Sequence, residues 1–199
     1  MKTAHFRAIK RELRILGIDD GPFKFKGRGK TILVGTVFRS GFWLDGLLTT
    51  KIKIDGFDAT KKIVEMVNKS RHKDQLRVIM LDGLTFGGMN FADINKINGK
   101  TGLPVIVVNR RRPRFEKIRN ALKHFQDAEK RWKFIEKAGE IQQVNVGNHN
   151  LYIQTAGIKL EDAQKILKLS CTRSKIPEPL RVAHLIAAGV VKGESKGRA

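Results

Sequence analysis

Cysteine is nearly absent from this chain: Cys171 is the only one among 199 residues. A lone thiol builds neither a disulfide framework nor a Cys-rich zinc site, so both of those frameworks are excluded. Long apolar runs are also missing. The longest, such as residues 103–108, falls far short of the roughly 20 residues that span a bilayer. The opening stretch MKTAHFRAIKREL is basic but has no apolar signal core, which points to a reducing, cytoplasmic location and to no membrane partner. Acidic residues are scarce: 19 Asp and Glu face 40 Lys and Arg, a formal net charge of +21. Such an excess costs self-repulsion on folding and attracts polyanions, nucleic acid first among them.

The rest of the composition belongs to a folded protein. Apolar residues make up 41%, with 11 Phe and 2 Trp, enough to build a core. Positive charge runs evenly along the chain, with no linker, repeat or basic tail to hold it. The expectation is a single domain over residues 1–199.

Residues 14–20 read as a strand that ends in Asp19, Asp20 and a Gly-Pro turn. Residues 31–38 and 42–54 read as antiparallel neighbours. Helical spacing begins at Asp58 or Thr60, either of which could cap it, and continues through Ile63, Val64 and Val67. Two further apolar strands follow, residues 77–81, closing at Asp82-Gly83, and residues 103–108. Strands alternating with helices imply an α/β sheet whose sites lie at the carboxyl ends of its strands. Residues 110–137 carry 11 basic and 4 acidic side chains, with Phe115, Ile118, Leu122, Phe125 and Trp132 on one stripe. That pattern predicts one amphipathic helix, about 110–138, with a strongly positive outer face. A short strand at 152–154 and helices at 160–169 and 179–191 complete the reading.

Several motif spellings fail on context. Gly29-Lys30-Thr31 and Gly99-Lys100-Thr101 mimic a P-loop, but the first glycine of each is replaced by Lys24 or Ile94. Gly193-Glu194-Ser195-Lys196-Gly197 spells a nucleophile elbow with no helix to follow. The five His residues form no His-Glu-x-x-His pair.

The pattern that survives is one of acids at element ends: Asp19 and Asp20 after the first strand, Asp82 after a later one, and Asp58 before a helix. Carboxylates converging from neighbouring strand ends suit a hard divalent cation without help from Cys or His. Paired cations of that kind can assist phosphodiester hydrolysis, and a basic surround would draw in the polyanion.

Four runs occur in the order found in endonuclease V: Gly17-Ile18-Asp19-Asp20-Gly21-Pro22-Phe23, Leu81-Asp82-Gly83, the strand from Leu103 to Arg110, and Pro177-Glu178-Pro179-Leu180-Arg181-Val182-Ala183-His184. The chain resembles still more closely an archaeal family related to that enzyme, domain of unknown function family ninety-nine. The shared features there are Asp55-Gly56-Phe57-Asp58-Ala59-Thr60 and a Gly-Glu-Ser-x-Gly-Arg-Ala tail. The resemblance covers nearly the whole chain. It implies an RNase H-like, endonuclease V-like mixed sheet flanked by helices, here with a basic helical insertion.

By position, the resemblance makes Asp19 and Asp82 metal-binding residues for Mg2+ or Mn2+. Arg110 falls where endonuclease V has a catalytic Lys, and His184 where its members have His or Asp. Two departures stand out. The family's aromatic wedge is replaced by Lys53-Ile54-Asp55-Gly56, and its Glu by Lys62. Asp58, one helical turn earlier, could offer a carboxylate instead.

The expected function is metal-dependent hydrolysis of DNA, with single-stranded DNA favoured because a wedge that opens duplexes is missing. Exonuclease and endonuclease action both fit, as does a homo-oligomer. Asp19, Asp82, Asp58, His184 and Arg110 are the candidate catalytic residues, with Asp20 a further metal ligand. Arg110, Arg111, Arg112 and Arg114 are candidate phosphate contacts. Trp43, Phe86, Phe91 and the basic helix are candidate walls for stacked bases. Plainer roles stay open: turn chemistry for Asp82 and one of the Asp19/Asp20 pair, helix capping for Asp58, a core position for His184. Two alternatives remain, cleavage at deaminated bases in the manner of endonuclease V, and nucleic-acid binding without catalysis.

Overall fold

Strands β1 (Arg14–Asp20), β2 (Lys30–Arg39) and β3 (Trp43–Lys53) form an antiparallel meander. The computed structural model describes residues 3, 4, 6, 8–24 and 29–195; the last four residues of the family-like tail lie outside that range. Beyond β3 come α1 (Ala59–Asn68), β4 (Val78–Asp82), a two-residue hairpin of β5 (Thr85–Phe86) and β6 (Asn90–Phe91), and α2 (Ile94–Thr101). Next are β7 (Val105–Asn109), α3 (Phe115–Leu122), α4 (Ala128–Lys137), β8 (Gln142–Val146), β9 (His149–Ala156), α5 (Leu160–Ser170) and α6 (Glu178–Lys192). The main sheet is mixed and seven-stranded, in the order β3-β2-β1-β4-β7-β9-β8. Its centre is parallel, β1 beside β4 and β4 beside β7.

Alternation along the central strands divides the core in two. Leu16, Ile18, Ile79, Leu81, Val105 and Val107 pack with Ile63 and Val67 of α1 and Ile97 of α2. Ile15, Val78, Met80, Ile106 and Val108 face the other way, with Ile166 and Leu167 of α5 and Leu180 of α6. Both faces of the parallel centre are thus covered, which is why these strands read as unbroken apolar runs.

The long basic helix is instead two helices folded against each other. A straight 28-residue helix would reach roughly 42 Å, with most of its apolar stripe uncovered. Turning at residues 123–127 lets Leu122 and Ile135 share a cluster with Phe91, while Ile118, Phe125 and Trp132 pack around it. The positive face is also interrupted. Arg131 is buried, donating to the carbonyls of Met89, Asp55 and Gly56 and to the Asp127 carboxylate. It fastens α4 to the turns after β3 and β5, and its guanidinium lies over the Phe57 and Phe125 rings.

Four elements, α2, β5, β6 and β8, and the first half of β9 were invisible in the sequence. Asp58 occupies the position before α1, but its side chain does not cap the helix. Asn90 Oδ1 accepts the Ala59 N–H instead, at 3.0 Å. Thr60 lies inside α1, where its hydroxyl accepts from the Asp93 N–H at 2.9 Å. Among the described residues, no helix is long and apolar enough to cross a membrane.

Candidate metal centre and its basic margin

The site is built where two parallel strands stop. In β1, Ile15 packs on the α5–α6 side, so Gly17 and Asp19 share that direction and Leu16, Ile18 and Asp20 take the other. In β4, Val78 and Met80 point towards the same helices, and Asp82 follows them. Ile18 pairs with Leu81 in parallel register, which sets Asp19 and Asp82 side by side at the carboxyl end of the sheet.

Helix α6 supplies the third group. Its first turn presses on β1 because residue 17 is glycine: a Cβ there would lie 2.5 Å from Pro179 Cβ and 2.6 Å from its carbonyl oxygen. Thr36 fixes the same point, its hydroxyl donating to the Pro179 carbonyl at 2.6 Å. So anchored, α6 brings His184 down to β1, where Nδ1 donates to Asp19 Oδ2 at 2.8 Å. The other Asp19 oxygen accepts the Asp20 N–H, also at 2.8 Å. One donor atom each from Asp19, Asp82 and His184 lies within 4.8 Å of the others.

The electrostatics are those of crowded acids. Burial, and then the neighbouring Asp19 charge, push the Asp82 carboxyl up to about 7, with Arg110 and His184 offsetting part of the rise. Asp20, on the opposite face, is also pushed up to about 7 by burial and by Asp19, although the Gly87 N–H donates to its Oδ2 at 2.9 Å. His184 is raised above the ordinary imidazole range, chiefly by its hydrogen bond to Asp19, against the opposing effect of burial. Asp82, Asp20 and His184, each holding its proton more firmly than usual, mark a place short of positive charge. The neighbouring Asp19 and Asp82 carboxylates fit a hard divalent cation, Mg2+ or Mn2+, with His184 held beside Asp19 as a hydrogen-bond donor.

Asp58 is not in this group. Its carboxylate accepts from the Lys53 N–H at 3.1 Å and from Asn90 Nδ2 at 2.7 Å, closing the turn between β3 and α1. Lys62 pairs with Glu65 on the surface. The segment that replaces the aromatic wedge is a tight polar turn, with Asp55 at φ 52° and its Oδ1 accepting from the Met89 N–H.

The four arginines separate. Arg110 and Arg111, just past β7, line a cleft of about 1120 Å³ beside the acids. Arg112 turns to a different hollow with Phe115 and Trp132, and Arg114 precedes α3. Of the expected base-stacking walls, Phe86 and Phe91 are buried and have no free face, whereas Trp43 is 54% exposed. The sequence reading missed the other side of the cleft, contributed by Arg173 and Lys175 in the loop before α6. The basic run Thr172-Arg173-Ser174-Lys175 ahead of the Pro-Glu-Pro turn was the available signal. Cys171 is no nucleophile, since burial and the Glu178 charge push its thiol up to about 12.

A mixed sheet with this order and acids at the ends of its adjacent parallel strands is the RNase H-like fold of endonuclease V. The endonuclease V of Ciona intestinalis, solved with a 24mer DNA containing an inosine followed by a ribo-adenosine, superposes with a TM-score of 0.55. Identity is 15%, over 86% of this chain and 82% of that one. Within this fold the chain belongs to the endonuclease dU family, whose model matches residues 11–191. The UPF0215 protein of Methanothermobacter thermautotrophicus is 59% identical, covering 100% of this chain and 98% of its own length. A protein of unknown function from Archaeoglobus fulgidus, known from its crystal structure, is 40% identical with a TM-score of 0.80, over 90% of this chain and 98% of that one.

Proposed function

We propose that the chain is a divalent-metal-dependent nuclease of the cytoplasm that hydrolyses phosphodiester bonds of DNA, with unpaired strands preferred. The observation that carries this reading is the meeting of Asp19, Asp82 and His184 at the ends of β1 and β4. Asp19 and Asp82 would hold Mg2+ or Mn2+, with Asp20 adding negative charge from the other face of β1. When bound, such a cation lowers the pKa of water and offsets charge on the phosphoryl oxygens.

The chain's own residues do the rest. Arg110, beside Asp82, draws the anionic phosphate towards the acids and offsets charge as the P–O bond breaks. Hydrolysis adds water across that bond, so the departing ester oxygen must collect a proton. His184 holds one firmly on the Asp19 side, and its Nε2–H is the group available to hand over. Asp19 then keeps the neutral ring oriented. Arg111, Arg112 and Arg114 are the candidate contacts to flanking phosphates.

A second reading has specific support. The family is described as endonuclease dU; read as deoxyuridine, whose uracil is deaminated cytosine, this favours endonucleolytic cleavage beside uracil over unselective exonuclease action. The Lys53–Gly56 turn offers no aromatic wedge, so discrimination would rest on a base already free of its stack.

The test is an end-labelled oligonucleotide with one central deoxyuridine, beside its thymidine counterpart, each single- and double-stranded, with Mn2+, Mg2+ or EDTA. Metal-dependent cleavage at one position of the deoxyuridine strands supports both readings. Equal cleavage of the two sequences retains the nuclease and rejects the lesion specificity. No cleavage by the wild type, or cleavage that survives Asp82→Asn, rejects the nuclease itself.

A further inference from the structure

The cleft beside the acids has two features that the nuclease reading alone does not require. The first is its charge. Arg110 and Arg111 enter from the end of β7, and Arg173 and Lys175 from the loop before α6. The one carboxylate in its lining, Glu178, is held by Arg181 through two hydrogen bonds of 2.8 and 2.7 Å, so that pair cancels. Arg111, Arg173 and Lys175 are exposed and have no acidic partner at ion-pair distance among the described residues. Their charge is therefore free for a ligand.

The second feature is aromatic. Phe42 lies in the cleft lining and is 41% exposed. Trp43 follows it with ring centroids 5.7 Å apart, and the Arg11 guanidinium sits 5.1 Å from the Phe42 centroid. Large exposed rings are costly at the start of an edge strand unless something uses them. Cations gathered in one cleft with Phe42, and Trp43 next to it, make the composition that grips unpaired polynucleotides, phosphates on the cations and bases on the rings. A base pair inside a duplex offers no open face to such rings.

The cleft lies next to the site without containing it: Asp19, Asp82 and His184 are outside its lining, and Arg110 and Leu185 link the two. Arg110 acts electrostatically on both Asp82 and His184, and Leu185, the residue after His184, lines the cleft.

We propose that this cleft is a track for an unpaired strand, running from the scissile position past Arg111, Arg173 and Lys175 to a stacking platform made by Phe42 and Trp43. The proposal rests on the nucleic-acid reading above and adds to it where the strand lies and which part of it must be single-stranded.

The test is fluorescence anisotropy on the full chain in EDTA, with labelled dT20 and a labelled 20-base-pair duplex as probes. Arg173→Ala/Lys175→Ala is expected to weaken dT20 binding about tenfold and to lower its salt slope by roughly 1.4. Trp43→Ala is expected to weaken dT20 binding about fivefold or more and to leave the duplex unchanged. Lys96→Ala/Lys100→Ala, on exposed positions of α2 across the sheet, is the charge control and should change neither. Circular dichroism melting and sedimentation of the same samples establish that each variant is folded and its mass unaltered.

Wild-type dT20 affinity in both cleft variants overturns the track, and if the wild type still cleaves DNA, the nuclease reading survives alone. An equal loss in the α2 control overturns it too, since bulk charge would then explain the binding. Loss of a dimer in Trp43→Ala assigns that ring to an interface and overturns the platform. If both cleft variants lose dT20 while the wild type cuts nothing, the track stands and the nuclease reading falls.

Discussion

Replacing Asp82 by Asn is expected to stabilise the metal-free protein while removing its response to a cation. Asp82 ionises in the fold only near pH 7, against 3.8 when unperturbed. About three pH units at 1.36 kcal/mol each put the cost of the charge near 4 kcal/mol above pH 7. Asp19 and Asp20 share that field, and a relaxing site recovers part of it, so about 2 kcal/mol is the working figure. For a chain of this size that is a rise of roughly 4–8 °C in melting temperature. The sign follows from linkage. A carboxyl whose folded pKa is raised keeps its proton more tightly when folded, so its contribution is complete below pH 3.8 and is lost as pH climbs through 7. The gain from Asp82→Asn should therefore be largest at pH 8, smaller at pH 5 and near zero at pH 4. Calorimetric melting in EDTA at these three values checks the trend, and Mn2+ added at pH 8 should raise the wild type alone. An Asn variant that melts at or below the wild type at pH 8, or that gains as much at pH 4, would refute the reasoning. Either result would mean that the acids are not crowded.

Metal-dependent cleavage should fall about tenfold per pH unit below 7, because Asp82 takes up a proton there; a pH–rate profile in Mn2+ between 5 and 9 reads this, and a flat acid limb would count against the ligand assignment. Gly17→Ala should cost about 1–3 kcal/mol by overpacking, because the new methyl meets Pro179. By shifting α6 it should also weaken the Mn2+-induced rise in melting temperature, which a purely local strain would leave intact. Arg131→Met removes the donor from three partly buried carbonyls and leaves the half-exposed Asp127 without its partner, and should cost about 1–3 kcal/mol. Hydrogen exchange should then speed up in the β5–β6 hairpin and the turn after β3, while the central strands hold.

What the sequence could show was set by how locally each feature is encoded. The parallel strands announced themselves because both of their faces are buried, and Asp19 and Asp82 sit at their ends. His184 looked like a residue on an apolar helix; only Gly17, an unassuming glycine inside a strand, records that α6 must come close enough to hand it to Asp19. The basic helix misled for a physical reason. Its stripe keeps helical period through residues 123–127, and nothing local says that Phe91, on a two-residue strand 24 positions upstream of Phe115, will draw Leu122 and Ile135 together. Asp58 misled similarly. Its spacing from Lys62 suited a shared helical face, but a carboxylate beside the free Lys53 N–H and the Asn90 amide is better satisfied closing the turn.

The net charge of +21 takes on a different meaning once it is distributed in space. A uniform positive shell would bind any polyanion on any face, and would give the acids no special place. Instead some of the positive charge is spent internally: Arg131 holds turns, Arg181 holds Glu178, and Arg14 and Arg39 share Asp45. The unpaired cations of the cleft stand near the paired acids Asp19 and Asp82, the group that could hold a metal among the described residues. That juxtaposition separates attraction from chemistry. On the proposed track the cations would raise the local concentration of phosphate and set its path, while the acids keep their affinity for a divalent ion because, among the described residues, no arginine forms an ion pair with Asp82. Moving a cation across that gap is the decisive perturbation: Asn109→Arg, at the tip of β7 beside the Gly83 turn, should keep or strengthen dT20 binding in EDTA yet weaken the Mn2+ response at pH 8. If attraction and metal affinity instead rose together, the two would not be separate functions of one margin.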